Sequence, residues 1–252
     1  MVTSELIKAA SRLRDDVDLI GDRLVKEGTV DCVYNPLIYA WEPHKAFIEL
    51  GGGKGAQTLL LGMNPGPHGM GQMGIPFSAT SIVRDLLKIR DLEVKQPRNI
   101  HPKRAVKGLD WHKEEISGTR LWNLLESEYG NAENIFSNVF IVNHCPLMLF
   151  KGERAINITP DKISGENTRR LIERCDQHLR EVVEIMGIKK VIGVGKYAEK
   201  RATEAFKEMN IQITGCWHPS PASPLANRNK GEDWRDNIRS VLPRNIQLEC
   251  CK

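Results

Sequence analysis

The sequence predicts an α/β fold in which helices cover both sides of a short, mostly parallel sheet. Four short runs, rich in β-branched residues and almost continuously apolar, indicate strands that are buried on both faces. The runs are TLLLG (58–62), VFIVN (139–143), KVIGVG (190–195) and IQITGCW (211–217). Helical patterns lie between them, and strands that alternate with helices favour a parallel sheet. No repeat, low-complexity segment or long linker divides the chain, so we predict one domain, 1–252, with an N-terminal helix within 1–30 packed on it.

The helical segments have recognisable ends. In SATSIVRDLLKIR (78–90), Ser78 or Thr80 is suited to cap a helix whose apolar face includes Ile82. Glycine ends two further patterns, a position that helix C-termini favour. These patterns are TRLWNLLESEYG (119–130) and NTRRLIERCDQHLREVVEIMG (167–187), and KYAEKRATEAFKEMN (196–210) follows the third strand.

Composition sets broad limits on function. The chain has a net charge of +4, a mild preference for polyanionic partners that does not by itself identify one. No run is long enough to span a membrane, and the amphipathic N-terminus lacks the apolar core of a signal peptide. No cysteine pair has C-x-x-C spacing, so we expect no metal site of that type and reduced thiols in the cytosol or nucleus. The six cysteines are Cys32, Cys145, Cys175, Cys216, Cys250 and Cys251.

An unusual glycine- and proline-rich elbow follows the first predicted strand, GMNPGPHGMGQMGIPF (62–77). Pro65 restricts Asn64 to extended geometry, and the next glycine and proline turn the chain, so the amide of Asn64 is presented at the end of a strand. We expect Gly69, Gly71 and Gly74 to let backbone N–H groups approach a flat ligand. The alternative interpretation is a tight structural turn that buries Phe77.

Two more segments follow predicted strands, NHCPL (143–147) and HPSPASP (218–224). Each could be a simple turn or a rigid surface loop. Together with the elbow, however, they would meet beyond the carboxyl ends of the strands, where open α/β sheets bind ligands. Phe77 would stack on a flat ring, Asn143 would hydrogen-bond its edge and His218 would donate to it. No acidic residue that could serve as acid or base appears in the three segments, and the set suits a flipped, uncharged nucleobase.

Nucleotide cofactors fit the sequence poorly. The segment GPHGMG (66–71) lacks the spacing of a dinucleotide fingerprint, GGGKG (51–55) lacks the end of a P-loop, and GVGK (193–196) stands alone. We therefore expect no cofactor.

These motifs resemble the single-strand-selective monofunctional branch of the uracil-DNA glycosylase superfamily, over nearly the whole chain after about residue 30. The segments that carry the resemblance are YNPLIYAWEPH (34–44), the elbow, HPKRAVKGL (101–109), EISGTRLW (115–122), NHCPL, NITP (157–160) and HPSPASPLAN (218–227). The resemblance implies a three-layer α/β/α sandwich with a short parallel sheet, no metal, and removal of uracil from DNA without strand cleavage. It also implies a monomer, in the nucleus of a eukaryote or the cytoplasm (nucleoid) of a prokaryote.

The resemblance assigns roles to individual residues. Asn64 would position the attacking water, and Asn143 would read the Watson–Crick edge of the base. His218 would donate to O2 of the leaving base. The residues that would surround the base beside Asn143 are Met63, Gly66 and Phe77. The residues that would contact single- or double-stranded DNA are Lys103, Arg104, Lys107, Ser220, Ala222, Arg228 and Lys230.

Two positions depart from the family pattern. Ala222 stands where an arginine is usual, so penetration of a duplex is expected to be weaker or to shift to Leu225 or Arg228. His68 stands where an aromatic residue usually follows NPGP, which affects the preference among bases. Two alternatives remain open from the sequence: a glycosylase for deaminated purines, such as xanthine or hypoxanthine, and a DNA-binding relative without activity.

Overall fold

The structure, a computed structural model, describes residues 1–244, so Cys250 and Cys251 lie outside the described residues. The strands are β1 (Cys32–Tyr34), β2 (Thr58–Gly62), β3 (Val139–Asn143), β4 (Met148–Lys151), β5 (Ile156–Ile158), β6 (Lys190–Val194) and β7 (Gln212–Cys216). The helices are α1 (Val2–Lys26), α2 (Pro36–Tyr39), α3 (Trp41–Gly51), α4 (Met70–Met73), α5 (Ile116–Tyr129), α6 (Ala132–Asn138), α7 (Glu166–Met186), α8 (Lys196–Ala205), α9 (Pro224–Asn227) and α10 (Glu232–Arg239).

A parallel sheet in the order β3-β2-β6-β7 forms the centre of the fold. All four predicted strands are confirmed. Leu59, Leu60 and Leu61 are fully buried although neighbouring side chains on a strand point to opposite faces, so both faces of the sheet are covered. The predicted α/β class, a three-layer sandwich around a short parallel sheet, is confirmed. The register places Gly62 beside Asn143 at the carboxyl edge, where the candidate site lies.

A second, antiparallel sheet in the order β1-β4-β5 was not predicted. Its strands have only three or four residues, too few for an alternating pattern to stand out. The β4–β5 hairpin follows the NHCPL segment and brings Asn157 next to the elbow. This small sheet therefore forms part of the support for the site.

The helices end where glycine was expected. The chain leaves α5 at Gly130 with a φ of 91° and leaves α7 at Gly187 with a φ of 66°, values that glycine adopts without steric cost. The buried face of α1 packs along α7. The helix predicted over 196–210 ends earlier, at Ala205.

The helix predicted over 78–90 is shorter than predicted. The segment is helical only over 80–86, where Thr80 and Ser81 are followed by a π-helical turn, Ile82–Leu86, and neither predicted residue caps it through its side chain. The hydroxyl of Thr80 donates instead to the backbone carbonyl of Trp111 at 2.9 Å, and the buried Ser78 hydroxyl has no hydrogen-bond partner among the described residues. Positive φ angles at Lys88 and Asp91 end the turn. A tertiary contact with the 95–115 loop therefore takes the place of the capping bond that Thr80 was predicted to make.

Two buried histidines make stability depend on pH. Burial lowers the pKa of His44 to about 4 and, together with Arg174, the pKa of His178 to about 3. Both rings line a small cavity of about 40 Å³. Below the ordinary histidine pKa of 6.5 the unfolded chain binds protons that the folded chain does not. The free energy of unfolding should therefore decrease as the pH is lowered, by about 1.4 kcal/mol per pH unit for each ring.

The variants His178→Leu and His44→Asn test this pH dependence, because asparagine keeps the donor that His44 directs at the Gly74 carbonyl. Between pH 6.5 and pH 5, urea titrations should show each variant losing about 2 kcal/mol less stability than the wild type. Equal losses in wild type and variants would contradict the assignment of neutral buried rings.

Candidate functional site

The three predicted segments meet around one cavity of about 210 Å³ at the carboxyl edge of the parallel sheet. Every residue predicted to contact the base or the attacking water lines it: Met63, Asn64, Gly66, Phe77, Asn143 and His218. Gly69, expected to let a ligand approach its backbone, also lines the cavity. Residues without a predicted contact to the base complete the wall: Pro65, Met70, Glu115, Ser117, Asn157 and Thr159. The geometry brings the predicted set together, while the role of each residue stays a prediction.

Hydrogen bonds hold the elbow rigid against its surroundings. The side chain of Asn157 donates to the Pro65 carbonyl at 2.8 Å, and Gln72 donates to the Pro67 carbonyl at 2.8 Å. Gln72 also accepts the backbone N–H of Lys107, which ties the elbow to the 95–115 loop. A fixed elbow can present a side chain to a ligand without further loss of conformational entropy.

The amide of Asn64 is oriented by two backbone carbonyls. Its Nδ2 donates to Leu147 O at 3.4 Å and to Ile158 O at 3.2 Å. Leu147 directly precedes β4, and Ile158 is the last residue of β5. Because both hydrogens of the amide are engaged, Oδ1 is the atom left to face the cavity. Asn64 is therefore presented as a hydrogen-bond acceptor, which suits a water molecule.

Phe77 and Asn143 lie against the same spot on strand β2. A Cβ atom added to Gly62 would stand 2.1 Å from Asn143 Oδ1 and 2.5 Å from the Phe77 ring, so only glycine lets both side chains sit there. Phe77 has a φ of 53°, an uncommon conformation for a bulky residue. Asn143 Nδ2 donates to Met70 Sδ at 3.1 Å, and a sulfur acceptor is weak enough for a ligand to displace it. A flat ring could therefore meet an aromatic face and an amide together.

His218 faces Phe77 across the cavity, with ring centroids 6.1 Å apart. The backbone N–H of Ser220 donates to its Nδ1 at 3.1 Å, so the proton of the neutral ring is on Nε2. Burial lowers the pKa of His218, which keeps the imidazole neutral at neutral pH. The site thus presents a neutral N–H donor at this wall.

A buried network supports the strand end that carries Asn143. The next residue, His144, is fully buried; its Nε2 donates to Asp176 at 2.9 Å and its Nδ1 accepts from the Tyr197 hydroxyl at 2.8 Å. Asp176 also forms an ion pair with Arg201. Burial lowers the pKa of His144 even though Asp176 opposes that effect. The network connects the end of β3 to helices α7 and α8.

Comparison with known proteins agrees with this geometry. The model of the uracil DNA glycosylase superfamily matches residues 51–242, well over half of the chain. The chain belongs to the uracil DNA glycosylase superfamily. It is 41% identical to the single-strand selective monofunctional uracil DNA glycosylase of Bos taurus over 201 residues, which cover 79% of this chain and 73% of that protein. The corresponding Rattus norvegicus protein is 39% identical over 214 residues, 84% of this chain and 76% of that protein.

A solved structure shows the same fold. The crystal structure of wild-type SMUG2 from Pedobacter heparinus aligns with a TM-score of 0.59 at 18% identity and covers 88% of this chain and 89% of that chain. At this identity the likeness concerns the fold alone.

One expectation about the elbow is wrong. The backbone N–H groups of Gly69, Gly71 and Gly74 do not face the cavity but bond within the elbow, to the carbonyls of Gly66 and Met70. The glycines are needed for close packing and for the backbone conformation. A Cβ atom on Gly71 would stand 2.6 Å from Met148 Sδ, and Gly74 ends α4 with a φ of 70°. The elbow is therefore a compact turn that presents its side chains, rather than its backbone N–H groups, to the cavity.

An acidic side chain on the wall was also missed. Glu115 caps α5 and accepts the backbone N–H groups of Ser117 at 3.3 Å and Gly118 at 2.9 Å. A carboxylate is favourable at a helix N-terminus, which explains its place there. The signals for Glu115 and Asn157 lay in the EISG and NITP segments, which the resemblance included without assigning a role.

The residues predicted to contact DNA differ in whether their side chains already have partners within the protein. Lys103 and Lys107 are exposed, and so are Ala222 and Lys230. Arg104 donates through Nε to the Ala155 carbonyl at 2.9 Å, and Arg228 pairs with Asp233 at 3.3 Å, so both arginines have intramolecular partners. Ser220 accepts the N–H of Ala222 through Oγ at 3.2 Å and so shapes the loop. Contacts of these residues with DNA stay predictions.

Other classes of site find no support in residues 1–244. This part of the chain contains no group of three His, Cys, Asp or Glu side chains arranged to hold a metal ion. Its helices include none that combines the length and the apolar character needed to cross a membrane. Cys32, Cys145, Cys175 and Cys216 are free thiols.

Proposed function

We propose that this protein is a monofunctional uracil-DNA glycosylase, which hydrolyses the bond between uracil and deoxyribose and leaves an abasic site. The observation that carries the proposal is the convergence of Asn64, Phe77, Asn143 and His218 on one cavity. The names of the relatives favour uracil over the two alternatives that the sequence left open. We further propose that the enzyme acts as a monomer on single- and double-stranded DNA.

Recognition begins when the uracil leaves the base stack, which costs least in single-stranded DNA. Phe77 would stack on the ring, and the amide of Asn143 would exchange its weak bond to Met70 for the N3–H and O4 edge of uracil. The amide offers an acceptor and a donor side by side, which uracil matches. Cytosine, whose edge carries an amino group, would not match the same orientation.

Bond cleavage leaves negative charge on the departing base. The Nε2–H of neutral His218 would donate to uracil O2 and stabilise this charge, an effect that typically contributes about 3 kcal/mol for a single donor. The DNA phosphates would offset the positive charge that develops on the sugar. His218 therefore acts as an electrostatic donor and does not need to become charged.

Water then completes the reaction. Asn64 Oδ1 would accept a hydrogen from the water and aim its oxygen at the sugar, while Leu147 and Ile158 hold the amide in place. An amide is a poor base, but an oxocarbenium-like sugar needs an oriented water more than a strong base. The wall contains no lysine among its lining residues, so an imine intermediate and strand cleavage are not expected.

The test is release of free base from oligonucleotides that contain one modified nucleotide. The proposal predicts free uracil and an intact strand with an abasic site, faster from single-stranded than from double-stranded DNA. Release of xanthine or hypoxanthine without uracil would favour the purine alternative. Binding without release of any base would overturn the proposed activity.

Ala222 gives a separate prediction about duplex DNA. The residue is exposed in the loop that follows His218, and its methyl group is too small to fill the gap that a flipped base leaves. The Ala222→Arg variant should raise the rate on duplex substrates several-fold and leave the single-strand rate unchanged. Ala222→Gln, which adds length without charge, is the matched control. No gain on duplex DNA would place the wedge at another residue.

A further inference from the structure

We propose that His68, Trp111 and His112 form a stacking subsite for the nucleobase next to the one that is excised. This inference rests on the proposed function and concerns how the DNA strand lies outside the cavity. It names a ligand class, an unpaired base with its phosphate, for three side chains that the reaction itself does not use.

The three rings lie next to one another at the surface, His68 beside Trp111 and Trp111 beside His112, and this row of rings is called the column below. The His68 and Trp111 rings are stacked, with centroids 5.5 Å apart and planes 15° from parallel. The Trp111 indole N–H donates to His68 Nδ1 at 3.2 Å, which fixes the pair. Trp111 and His112 have centroids 5.2 Å apart and a tilt of 44°. His68 and Trp111 are half-buried and His112 is exposed, so the column is open to solvent at one end.

The column is held in place by backbone contacts on both sides. The Thr80 hydroxyl donates to the Trp111 carbonyl at 2.9 Å, and the Trp111 N–H bonds to the Gly108 carbonyl at 3.1 Å. Glu114 accepts the N–H of Ser81 at 3.1 Å, which anchors the chain just beyond His112. A base that stacks on a fixed platform costs the protein little ordering entropy.

The column adjoins, along the chain, residues that line the cavity. None of the three rings lines the cavity itself, but His68 lies in the chain between Gly66 and Gly69, both of which do, and Trp111 is four residues before Glu115, which also lines it. A DNA strand that places one base inside the cavity must continue past the rim of the cavity. The neighbouring nucleotide would therefore pass within reach of the column.

Positive charge surrounds the rings. Lys103 and Arg104 line a small recess together with His68 and Trp111. The ammonium groups of Lys103, Lys107 and Lys113 have no hydrogen-bond or ion-pair partner within residues 1–244. Burial, followed by Lys113 and Arg104, lowers the pKa of His68. Of the acidic residues in 110–115, Glu114 and Glu115 are already engaged by backbone N–H groups, and Asp110 is exposed. Aromatic rings among free lysines are the combination that binds single-stranded nucleic acid.

The experiment separates stacking from simple support of the elbow. Binding of wild type, Trp111→Ala, Trp111→Phe and His112→Ala is measured by fluorescence anisotropy on single-stranded uracil oligonucleotides. In matched oligonucleotides the nucleotide on the 5′ or the 3′ side of the uracil is replaced by a spacer that has the phosphate but no base. A uracil-release assay is run in parallel on each protein.

The subsite predicts that removal of one flanking base weakens wild-type binding roughly 10-fold, on one side only. Trp111→Ala should bind the complete oligonucleotide about as weakly as wild type binds the spacer oligonucleotide, and should lose nothing more on the spacer. Trp111→Phe and His112→Ala should fall between these limits.

Two results would overturn the subsite. One is wild-type binding that does not change with either spacer; the other is an equal loss for the Trp111 and His112 variants on complete and spacer oligonucleotides, which indicates a structural role. If wild type releases no uracil, the proposed function fails instead, and the binding comparison still reports on the column. Trp111→Phe and His112→Ala keep the test valid if Trp111→Ala does not fold.

Discussion

The His218→Ala variant is expected to release uracil about 10²–10³ times more slowly than the wild type while it binds uracil-containing DNA with similar affinity. The reason is that the Nε2–H donor matters most when the leaving base carries negative charge and contributes little to the ground-state complex. Single-turnover release of free uracil gives the rate, and anisotropy on a non-cleavable oligonucleotide gives the affinity.

The sequence offers a matched control for this variant. His101, like His218, precedes a proline, and its Nδ1 accepts the backbone N–H two residues later, from Lys103 at 3.2 Å. It does not line the cavity. His101→Ala should therefore keep the wild-type rate. A His218→Ala rate close to that of wild type would remove the imidazole from the mechanism.

The pH profile provides a second readout of the same residue. Burial lowers the pKa of His218, so the neutral ring persists below pH 6.5. The wild-type rate should fall only as the pH passes through the lowered value, because protonation of Nδ1 removes the acceptor for the Ser220 N–H that orients the ring. His218→Ala should lack this acid limb. An acid limb that is the same in the variant would assign it to another group.

The Asn64→Ala variant is expected to lose about 100-fold or more in rate, again with little change in DNA binding, because the attacking water is no longer held in line with the sugar. Asn64→Asp tests the orientation more sharply. In the wild type Nδ2 donates to Leu147 O and Ile158 O, and a carboxylate oxygen in that place would face two carbonyl oxygens. This variant should therefore also be slow, although aspartate is the stronger base.

A remote amide serves as the control for both Asn64 variants. Asn138 donates to the Asn134 carbonyl on helix α6, away from the cavity, and Asn138→Ala should release uracil at the wild-type rate. If Asn64→Asp were faster than wild type, the amide would not be the orienting group that its hydrogen bonds suggest.

The parallel sheet and the cavity were predictable because each depends on short-range patterns. Buried parallel strands are apolar throughout, and a proline after Asn64 or His218 restricts the backbone wherever the segment folds. The carboxyl ends of such strands share one edge, so the meeting of Asn64, Asn143 and His218 follows from the order of elements.

Features that depend on distant contacts were not predictable. The pattern over 78–90 is helical, yet the helix covers only 80–86, and Thr80, a predicted cap, bonds to Trp111 in the distant 95–115 loop instead. Strands β1, β4 and β5 owe their existence to one another rather than to their own composition. Glu115 satisfies a helix cap, and no local signal shows that the same residue also borders the cavity.

A crystal structure of the Asn64→Ala variant with a single-stranded oligonucleotide containing uracil tests the central claim most directly. The account predicts an everted uracil stacked on Phe77, with its N3–H and O4 edge at the amide of Asn143 and its O2 within hydrogen-bond distance of His218 Nε2. Uracil bound outside this cavity, or bound in it with O2 turned away from His218, would contradict the account.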